Sequence, residues 1–317
     1  MLAVANFHYI RPDFKAAYPS IFGVTPAQFE AQLDKLAQHG DFISQQELIE
    51  FTEKPLDKNY ILITFDDGLK EQFEYAKPIL EKKGIPYIFF INTSVYTDEE
   101  ISLVHKIHLL RSRIPPHELN EIIANKFSLY LDEAEKMKAH QHYNYDTKAT
   151  ACLKYMLNFK FGYAQQQGII NPLFDYYFDE KSVLGELYLN LEQLTILANE
   201  GVLGSHGHYH NPLAMQDKED LKTELKVSQN FFMDNFGSKA TSISYPYGSH
   251  AASVGMQKEI KEAGFKMGFT MERAVNSEIY EQRLLLSRFD CNDLPGGKSN
   301  LFEHKNIFKN PPLRNWV

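Results

Sequence analysis

The amino-acid sequence predicts an α/β fold, because apolar segments of strand length alternate with helical segments along most of the chain. A length of 317 residues is enough for one large domain with a full core. The formal net charge of -8 argues against nonspecific nucleic-acid binding, which requires a basic surface. We therefore expect a globular protein with no nucleic-acid partner.

The elements are predicted by periodicity and by the residues at their ends. Thr25-Pro26 opens the first helix, since Thr is a favourable N-cap and Pro suits the first helical position, and Gly40 ends it. Gly84 and Gly201 end two later helices in the same way. The predicted strands are residues 2–8, 60–65, 85–91, 242–245, 266–270 and 284–289, and residues 202–204 lead into a group of histidines. The other predicted helices are residues 70–83, 191–200, 217–235 and 258–263.

The N-terminal segment predicts a cytoplasmic protein. It has no basic region, and its apolar run is broken at Asn6, so it is a poor signal peptide. No stretch of 18 apolar residues is present, so we predict no transmembrane segment. Cys152 and Cys291 lie far apart in sequence, and we expect two free buried thiols rather than a disulfide.

Residues 97–190 form a segment of different character. The segment is helix-prone, rich in His, Tyr and Lys, and shows no alternation of strands and helices. We expect a mainly helical insertion within a single domain of residues 1–317. Its histidines lack a tight ligand spacing, which favours a solvated helical cap over a second metal site. Such a cap could shape substrate choice or form a homo-oligomer contact.

Two aspartates follow the apolar run of residues 60–65. Carboxylates at the carboxyl end of a parallel strand lie where α/β folds place catalysis. Neighbouring strand residues normally point to opposite faces, but the flexibility of Gly68 allows Asp66 and Asp67 to reach one pocket. The alternative is a turn in which the aspartates act as helix N-caps.

A second group of polar residues follows the apolar residues 202–204. His206 and His210 have the spacing that puts two side chains on one face of a helical turn, with His208 pointing elsewhere. Solvated loop histidines are the alternative. Together with a carboxylate, two imidazoles suit Zn²⁺, and three protein ligands leave a position open for a reacting water. The combined pattern predicts a hydrolytic site with one divalent metal ion.

Three motifs in order along the chain resemble the polysaccharide deacetylases, also called the NodB-homology or carbohydrate esterase family 4 proteins. They are Ile-Thr-Phe-Asp-Asp-Gly at 63–68, Gly-Ser-His-Gly-His-Tyr-His at 204–210 and Ser-Tyr-Pro-Tyr-Gly at 244–248. The resemblance covers roughly residues 1–96 and 191–290. It implies a distorted (β/α) barrel and a metal-dependent enzyme that removes an N-acetyl group from a sugar.

The resemblance also implies roles for individual residues. Asp67, His206 and His210 would be the metal ligands, and Asp66 the general base. This division is reasonable because a metal-bound carboxylate is poorly basic, so its neighbour must take the proton from the attacking water. The metal and the backbone N–H of Tyr247 would stabilise the oxyanion.

Two departures from the family pattern require substitutes. The arginine that usually precedes the Pro-Tyr pair is absent, and Arg288 is the best substitute for orienting the base, with Asp290 holding Arg288 in turn. The usual late Leu-x-x-His motif is also missing. His8 is the better general acid, because it ends the first strand and some members of the family begin with a similar element. Tyr9 and Arg11 would line the pocket, and Arg11 could meet a substrate phosphate.

These observations lead to a metal-dependent sugar N-deacetylase as the main hypothesis. A cytoplasmic location favours a nucleotide- or lipid-linked precursor of surface polysaccharide as substrate. An O-deacetylase or a cyclic amidase on the same metal site is a second hypothesis. A third is a degenerate relative that binds carbohydrate without catalysis, because two family residues are missing. A two-carboxylate glycosidase is the poorest candidate, since adjacent aspartates rarely span a sugar ring.

Overall fold

The computed structural model describes residues 1–15, 18, 23–51, 56–144, 146–277, 279–302, 306–312 and 314. The chain divides into two compact units. The first, called here the sheet unit, comprises Met1–Asp13, Phe22–Glu100 and Leu184–Val317. The second, called here the helical unit, comprises Phe14–Ile21 and Ile101–Val183.

The sheet unit contains one parallel sheet in the order β7-β6-β5-β4-β3-β1-β8, with β2 pairing to β3. The strands are β1 (Leu2–Phe7), β2 (Asp41–Phe42), β3 (Tyr60–Phe65), β4 (Tyr87–Ile91), β5 (Leu203–Ser205), β6 (Ser242–Ser244), β7 (Met267–Phe269) and β8 (Phe289–Asp290). The central strands are buried along their whole length, as expected of a parallel sheet covered by helices. The predicted α/β class is confirmed.

Helices connect these strands. They are α1 (Pro26–Leu36), α2 (Gln45–Glu50), α3 (Lys77–Lys83), α4 (Ser94–Thr97), α11 (Leu191–Asn199), α12 (Lys218–Phe236), α13 (His250–Ser253), α14 (Gln257–Glu262) and α15 (Ile279–Gln282). Thr25 caps α1 as predicted and forms a reciprocal capping box with Gln28. The predicted helix at 70–83 begins as a π-helical turn, Gln72–Ala76, and continues as α3.

One predicted strand is much shorter than expected. Residues 284–289 were predicted as a strand, but only β8 and a single bridge at Leu286 are present. The reason is that the side chain of Asn276 takes the place of a neighbouring strand at Ser287. It donates to the Ser287 carbonyl at 3.0 Å and accepts from the Ser287 N–H at 2.8 Å. The backbone of Ser287 is therefore satisfied without a strand partner.

The helical unit consists of helices with their own apolar interior. They are α5 (Leu103–Arg113), α6 (Pro116–Phe127), α7 (Glu133–His142), α8 (Lys148–Tyr155), a π-helical turn (Met156–Lys160), α9 (Tyr163–Tyr177) and α10 (Glu180–Leu187), whose last residues belong to the sheet unit. Fully buried Leu110, Ile123, Ile170 and Phe174 contribute to this interior. That residues 97–190 are an insertion within one domain remains a prediction.

Two further expectations concern the whole chain. Cys152 and Cys291 are both free thiols, as expected, although Cys152 is only partly buried. Within the described part of the chain, no helix combines the length and the apolar character needed to cross a membrane.

Candidate active site

The predicted site residues lie at one edge of the parallel sheet. His8 follows β1, Asp66 and Asp67 follow β3, and His206 follows β5. The carboxyl ends of parallel strands share an edge, which is where ligands bind in such sheets. The backbone continues the β1–β3 pairing for one more bond, because the N–H of Asp66 donates to the carbonyl of Phe7 at 3.0 Å.

Asp67, His206 and His210 are brought together with the spacing of metal ligands. Oδ1 of Asp67 lies 3.5 Å from Nε2 of His206 and 3.4 Å from Nε2 of His210. Two ligand atoms about 2.1 Å from one tetrahedral ion would be about 3.4 Å apart, so the separations fit a shared ion. All three residues are buried, and their ligand atoms lie within 4.8 Å of one another. One carboxylate oxygen and two imidazole nitrogens suit Zn²⁺.

His206 is held in the form that a metal ligand needs. Its Nδ1 lies 2.8 Å from the carbonyl of Ser244, which can only accept, so Nδ1 carries the proton and Nε2 presents its lone pair towards Asp67. Burial lowers the pKa of His206 to about 4, against the opposing attraction of the nearby aspartates. The imidazole is therefore neutral at neutral pH.

The segment 206–210 is not the helical turn that its spacing predicted. It is an irregular loop after β5, and Gly207 takes a left-handed conformation with φ +78°. The buried carboxylate of Glu224, on α12, accepts from the N–H groups of His208 at 2.9 Å and Tyr209 at 2.8 Å. Glu224 thus replaces the missing helical hydrogen bonds. As predicted, His208 turns away from the other two histidines, and its Nδ1 lies 2.8 Å from Oγ1 of Thr93.

Arg288 lies directly against Asp66, in the position expected of an orienting arginine. Its guanidinium donates from Nη1 to Oδ1 at 2.8 Å and from Nη2 to Oδ2 at 2.7 Å, and the Arg288 side chain is fully buried. Asn6 adds a third donor to Oδ2 at 2.9 Å. Burial acts to raise the pKa of Asp66, but Arg288 and the nearby histidines outweigh it and hold the pKa well below its usual range. Asp66 is therefore ionised at neutral pH.

The residues that hold Arg288 differ from those expected. Its Nε donates to the Thr270 carbonyl at 2.9 Å, Nη1 to Oδ1 of Asn6 at 2.8 Å and Nη2 to Oγ of Ser244 at 2.8 Å. The expectation that Asp290 holds Arg288 is wrong. Oδ1 of Asp290 instead accepts from the backbone and side-chain amides of Asn292, which closes a local turn.

The segment after β1 places His8, Tyr9 and Arg11 differently from one another. Nε2 of His8 lies 3.8 Å from Oδ2 of Asp66, and a quarter of the side chain is exposed. Tyr9 is buried, which raises its pKa well above the usual value. Arg11 is also buried, and its Nε donates to Oε2 of Glu71 at 2.6 Å. This ion pair gives Arg11 an anchoring contact inside the protein, while its contact with a substrate phosphate remains a prediction.

Tyr247 lies at the exposed rim of the site, with its ring centroid 5.2 Å from that of His210. Its φ of +62° is unusual for a residue with a side chain, and Asp67 and His210 share this conformation, with φ +75° and +61°. Such strain concentrates at functional sites. At Gly68, φ is +63° and an added Cβ would lie 2.7 Å from Cγ2 of Ile91, so the turn after Asp67 requires glycine.

Sequence reasoning missed the polar residues that support the site. Asn6, Thr64 and Ser244 are buried polar positions in otherwise apolar strands, and Glu224 is a buried carboxylate on an amphipathic helix. The detectable signal was an uncompensated polar side chain in a strand that the pattern required to be buried.

The protein is of the α/β class, with a cluster of carboxylates and imidazoles at the carboxyl edge of its parallel sheet. Comparison with known proteins identifies its family. The family model for polysaccharide deacetylases matches residues 53–142 and 179–268, which is more than half of the chain. The chain therefore belongs to the polysaccharide deacetylase family, whose members are carbohydrate-deacetylating hydrolases. The resemblance found in the three motifs is confirmed.

Solved structures show the same fold. The Streptococcus pyogenes deacetylase PplD, in complex with acetate, is 16% identical over 95% of this chain and 96% of its own, with a TM-score of 0.54. A de-N-acetylase from Aggregatibacter actinomycetemcomitans is 13% identical over 98% of both chains, with a TM-score of 0.51. These likenesses confirm the predicted distorted (β/α) barrel. A comparison with the curated proteins finds no match.

Proposed function

We propose that this chain is a metal-dependent carbohydrate N-deacetylase that binds one divalent ion, with Zn²⁺ as the expected metal, through Asp67, His206 and His210. The observation that carries the proposal is that Oδ1 of Asp67 lies 3.5 Å and 3.4 Å from the Nε2 atoms of two buried histidines, beside a carboxylate that is not part of this set. That carboxylate, Asp66, is ionised and fixed by Arg288.

The metal, when bound, acidifies a water molecule and polarises the acetyl carbonyl. Asp66 accepts a proton from the attacking water, and its orientation is set by Arg288 and Asn6. His8 donates a proton to the amide nitrogen as the C–N bond breaks, which yields acetate and a free amine. His8 Nε2 lies 3.8 Å from Oδ2 of Asp66, which is too long for a direct transfer, so the proton that Asp66 takes up would return to His8 through one water molecule between turnovers. The backbone N–H of Tyr247 is assigned to the oxyanion.

The low pKa of Asp66 is consistent with this division of roles. A strongly paired carboxylate is a weak base on its own, and an ion held by Asp67, His206 and His210 would acidify the water whose proton Asp66 accepts. In return, Asp66 is ionised at any pH at which the neutral imidazoles can hold the ion. The same network that lowers the basicity of Asp66 therefore keeps it ready as a proton acceptor.

The N-acyl group, the precursor substrate and the cytoplasmic location remain predictions, and acetate release tests the first two. Metal-stripped protein is given Zn²⁺ and then incubated separately with UDP-N-acetylglucosamine, an N-acetylglucosamine oligomer and an O-acetylated sugar. We expect metal-dependent acetate release from an N-acetylated compound, with Asp66→Asn inactive. Release from the O-acetylated sugar alone would instead favour an O-deacetylase. Glycan binding that is unchanged by Asp66→Asn, without any acetate release, would favour the non-catalytic alternative.

A further inference from the structure

A buried glutamine joins the two segments that carry the proposed acid and the proposed base. Gln72 opens the π-helical turn after Asp66-Asp67-Gly68 and is fully buried. Its Nε2 donates to the backbone carbonyl of His8 at 2.9 Å and to that of Asp66 at 2.7 Å. Its Oε1 accepts from the N–H of Leu69 at 3.2 Å. One side chain thus bonds to the backbone of both residues, and π-helical turns are frequent at functional sites.

The preceding residue, Glu71, also binds the segment that follows β1, at Ile10 and Arg11. One oxygen of its carboxylate accepts from the N–H of Ile10 at 2.7 Å, and the other accepts from Nε of Arg11 at 2.6 Å. Adjacent residues at the start of one helix therefore bind three residues of the segment 8–11. We call Glu71 and Gln72 the helix-start clamp.

The clamp acts at the end of the β1–β3 ladder, whose last bond joins the N–H of Asp66 to the carbonyl of Phe7. The register of β1 and β3 ends at Phe7 and Phe65, and both His8 and Asp66 lie beyond it. We propose that Gln72, supported by Glu71, is a positioning residue that sets the separation between His8 and Asp66. The inference rests on the roles assigned to these two residues in the proposed function. Gln72 acts through them, because its bonds are to their carbonyls and not to their side chains.

The chain offers a closely matched control in Gln229. Gln229 is also buried, its Nε2 donates to the carbonyls of Ala240 at 3.1 Å and Ala263 at 3.3 Å, and its Oε1 accepts from the N–H of Ala240 at 2.9 Å. Ala240 precedes β6 and Ala263 precedes β7, so these bonds lie at the edge of the sheet opposite the site. Replacing either glutamine by leucine removes two donated hydrogen bonds and one accepted hydrogen bond, all to backbone groups.

The test compares Gln72→Leu with Gln229→Leu in the metal-loaded protein, on the N-acetylated compound from which the wild type releases acetate. We expect Gln72→Leu to lower kcat by about tenfold or more, with KM and metal content nearly unchanged, because misplacement at a reacting centre costs rate rather than binding. Gln229→Leu should lower the Tm by a similar amount but keep kcat within about twofold. Equal losses of kcat in the two variants would show that Gln72 only stabilises the fold.

A double-mutant cycle separates positioning from general damage. In a His8→Ala background, Gln72→Leu should reduce kcat by less than about twofold further, because His8 is already gone and the Asp66 side chain is still held by Arg288 and Asn6. An undiminished effect in that background would overturn the inference. If Gln72→Leu does not fold, Gln72→Glu takes its place in the test. A protonated Glu carboxyl can donate to only one of the two backbone carbonyls, so we expect a loss of kcat smaller than the one stated for Gln72→Leu.

Amide hydrogen exchange of residues 8–11 provides a readout that does not depend on activity. Exchange should be faster in Gln72→Leu and unchanged in Gln229→Leu. Unchanged exchange in Gln72→Leu would refute the clamp, whatever the activity. A wild-type protein that releases no acetate from any of the compounds would refute the proposed function, and the catalytic part of this inference with it.

Discussion

Replacement of Arg288 should be costly, because the guanidinium is fully buried and binds both oxygens of Asp66 at 2.8 and 2.7 Å. Arg288→Met keeps an unbranched side chain but leaves a buried carboxylate without its cation. Removing one partner of a buried ion pair costs about 3–5 kcal/mol, so we expect the free energy of unfolding at neutral pH to fall by about that amount. The kcat for acetate release should fall by about 100-fold or more, since Asp66 loses its orientation.

The deficit in stability should depend on pH in a defined direction. In the wild type, burial raises the pKa of Asp66 but Arg288 more than compensates, so the folded pKa lies below the ordinary value of 3.8. The paired carboxylate thus contributes stability above pH 3.8 and loses it only as the pH falls through the depressed folded pKa. In Arg288→Met, the burial that raises the pKa of Asp66 is opposed only by the nearby histidines, so we expect a folded pKa above the ordinary value and a folded state that becomes less stable as the pH rises. The difference between the two proteins should therefore increase from about pH 4 to about pH 7.

Urea unfolding at about pH 4, 5.5 and 7 measures this difference directly. The double variant Asp66→Asn/Arg288→Met is the control, because it has no buried charge left unpaired. It should recover more than half of the stability lost at neutral pH. A deficit of less than about 1 kcal/mol at pH 7, or one that is the same at every pH, would refute the reasoning.

Three more predictions concern the proposed metal site and its loop. Asp66→Asn should keep the metal and lose turnover, whereas His206→Ala should lose both; equal metal content and equal activity in the two variants would contradict the assigned roles. Glu224→Leu should weaken metal binding by about 10- to 100-fold in competition with a chelator, because two backbone N–H groups lose their acceptor, while Glu224→Gln should remain close to the wild type. In metal-free protein, the unfolded state takes up a proton on His206 near pH 6.5, whereas the folded state does so only near about 4. The free energy of unfolding should therefore fall by up to about 3 kcal/mol as the pH is lowered from about 6.5 to about 4. His206→Ala should lack this part of the pH dependence in urea unfolding.

The fold was predictable, and so was the convergence of Asp67, His206 and His210, because both follow from local sequence patterns. Apolar runs of strand length, helix caps such as Thr25 and glycine stops identify the elements, and parallel strands bring their carboxyl ends to one edge. The polar residues at those ends then converge without further information. This is why Asp67 and His206 lie beside each other although they are far apart in sequence.

Features that depend on tertiary contacts were not predictable in this way. The i, i+4 spacing of His206 and His210 indicated a helical turn, but the loop is shaped by Glu224 from a helix that follows later in the chain. The strand expected at residues 284–289 is shortened because Asn276 satisfies the backbone of Ser287. In each case a side chain distant in sequence takes over a backbone hydrogen bond that the local pattern assigns elsewhere.

The position of Arg288 in sequence predicted that it reaches the site, and its contact with Asp66 agrees, while its role in orienting the base stays a prediction. A strand-end position was enough to suggest that this arginine reaches the site, but its support could not be read from neighbouring residues. Asp290 is two positions further on and would share the face of Arg288 in a regular strand, yet its carboxylate turns to the backbone and side-chain amides of Asn292. The groups that hold Arg288, among them Asn6 and Ser244, come from separate strands that only the folded sheet brings together.

The backbone strain of the site explains how neighbouring residues can serve one pocket. A regular strand would send Asp66 and Asp67 to opposite faces, whereas a left-handed conformation at Asp67 and a glycine after it redirect the chain. Such a residue costs about 1–3 kcal/mol, and His210 and Tyr247 share the conformation. A purely structural turn would have no need for three residues in this costly conformation around one cluster of carboxylate and imidazole atoms. The presence of all three at this cluster therefore favours a functional site, in which the required geometry overrides the usual backbone preference for negative φ.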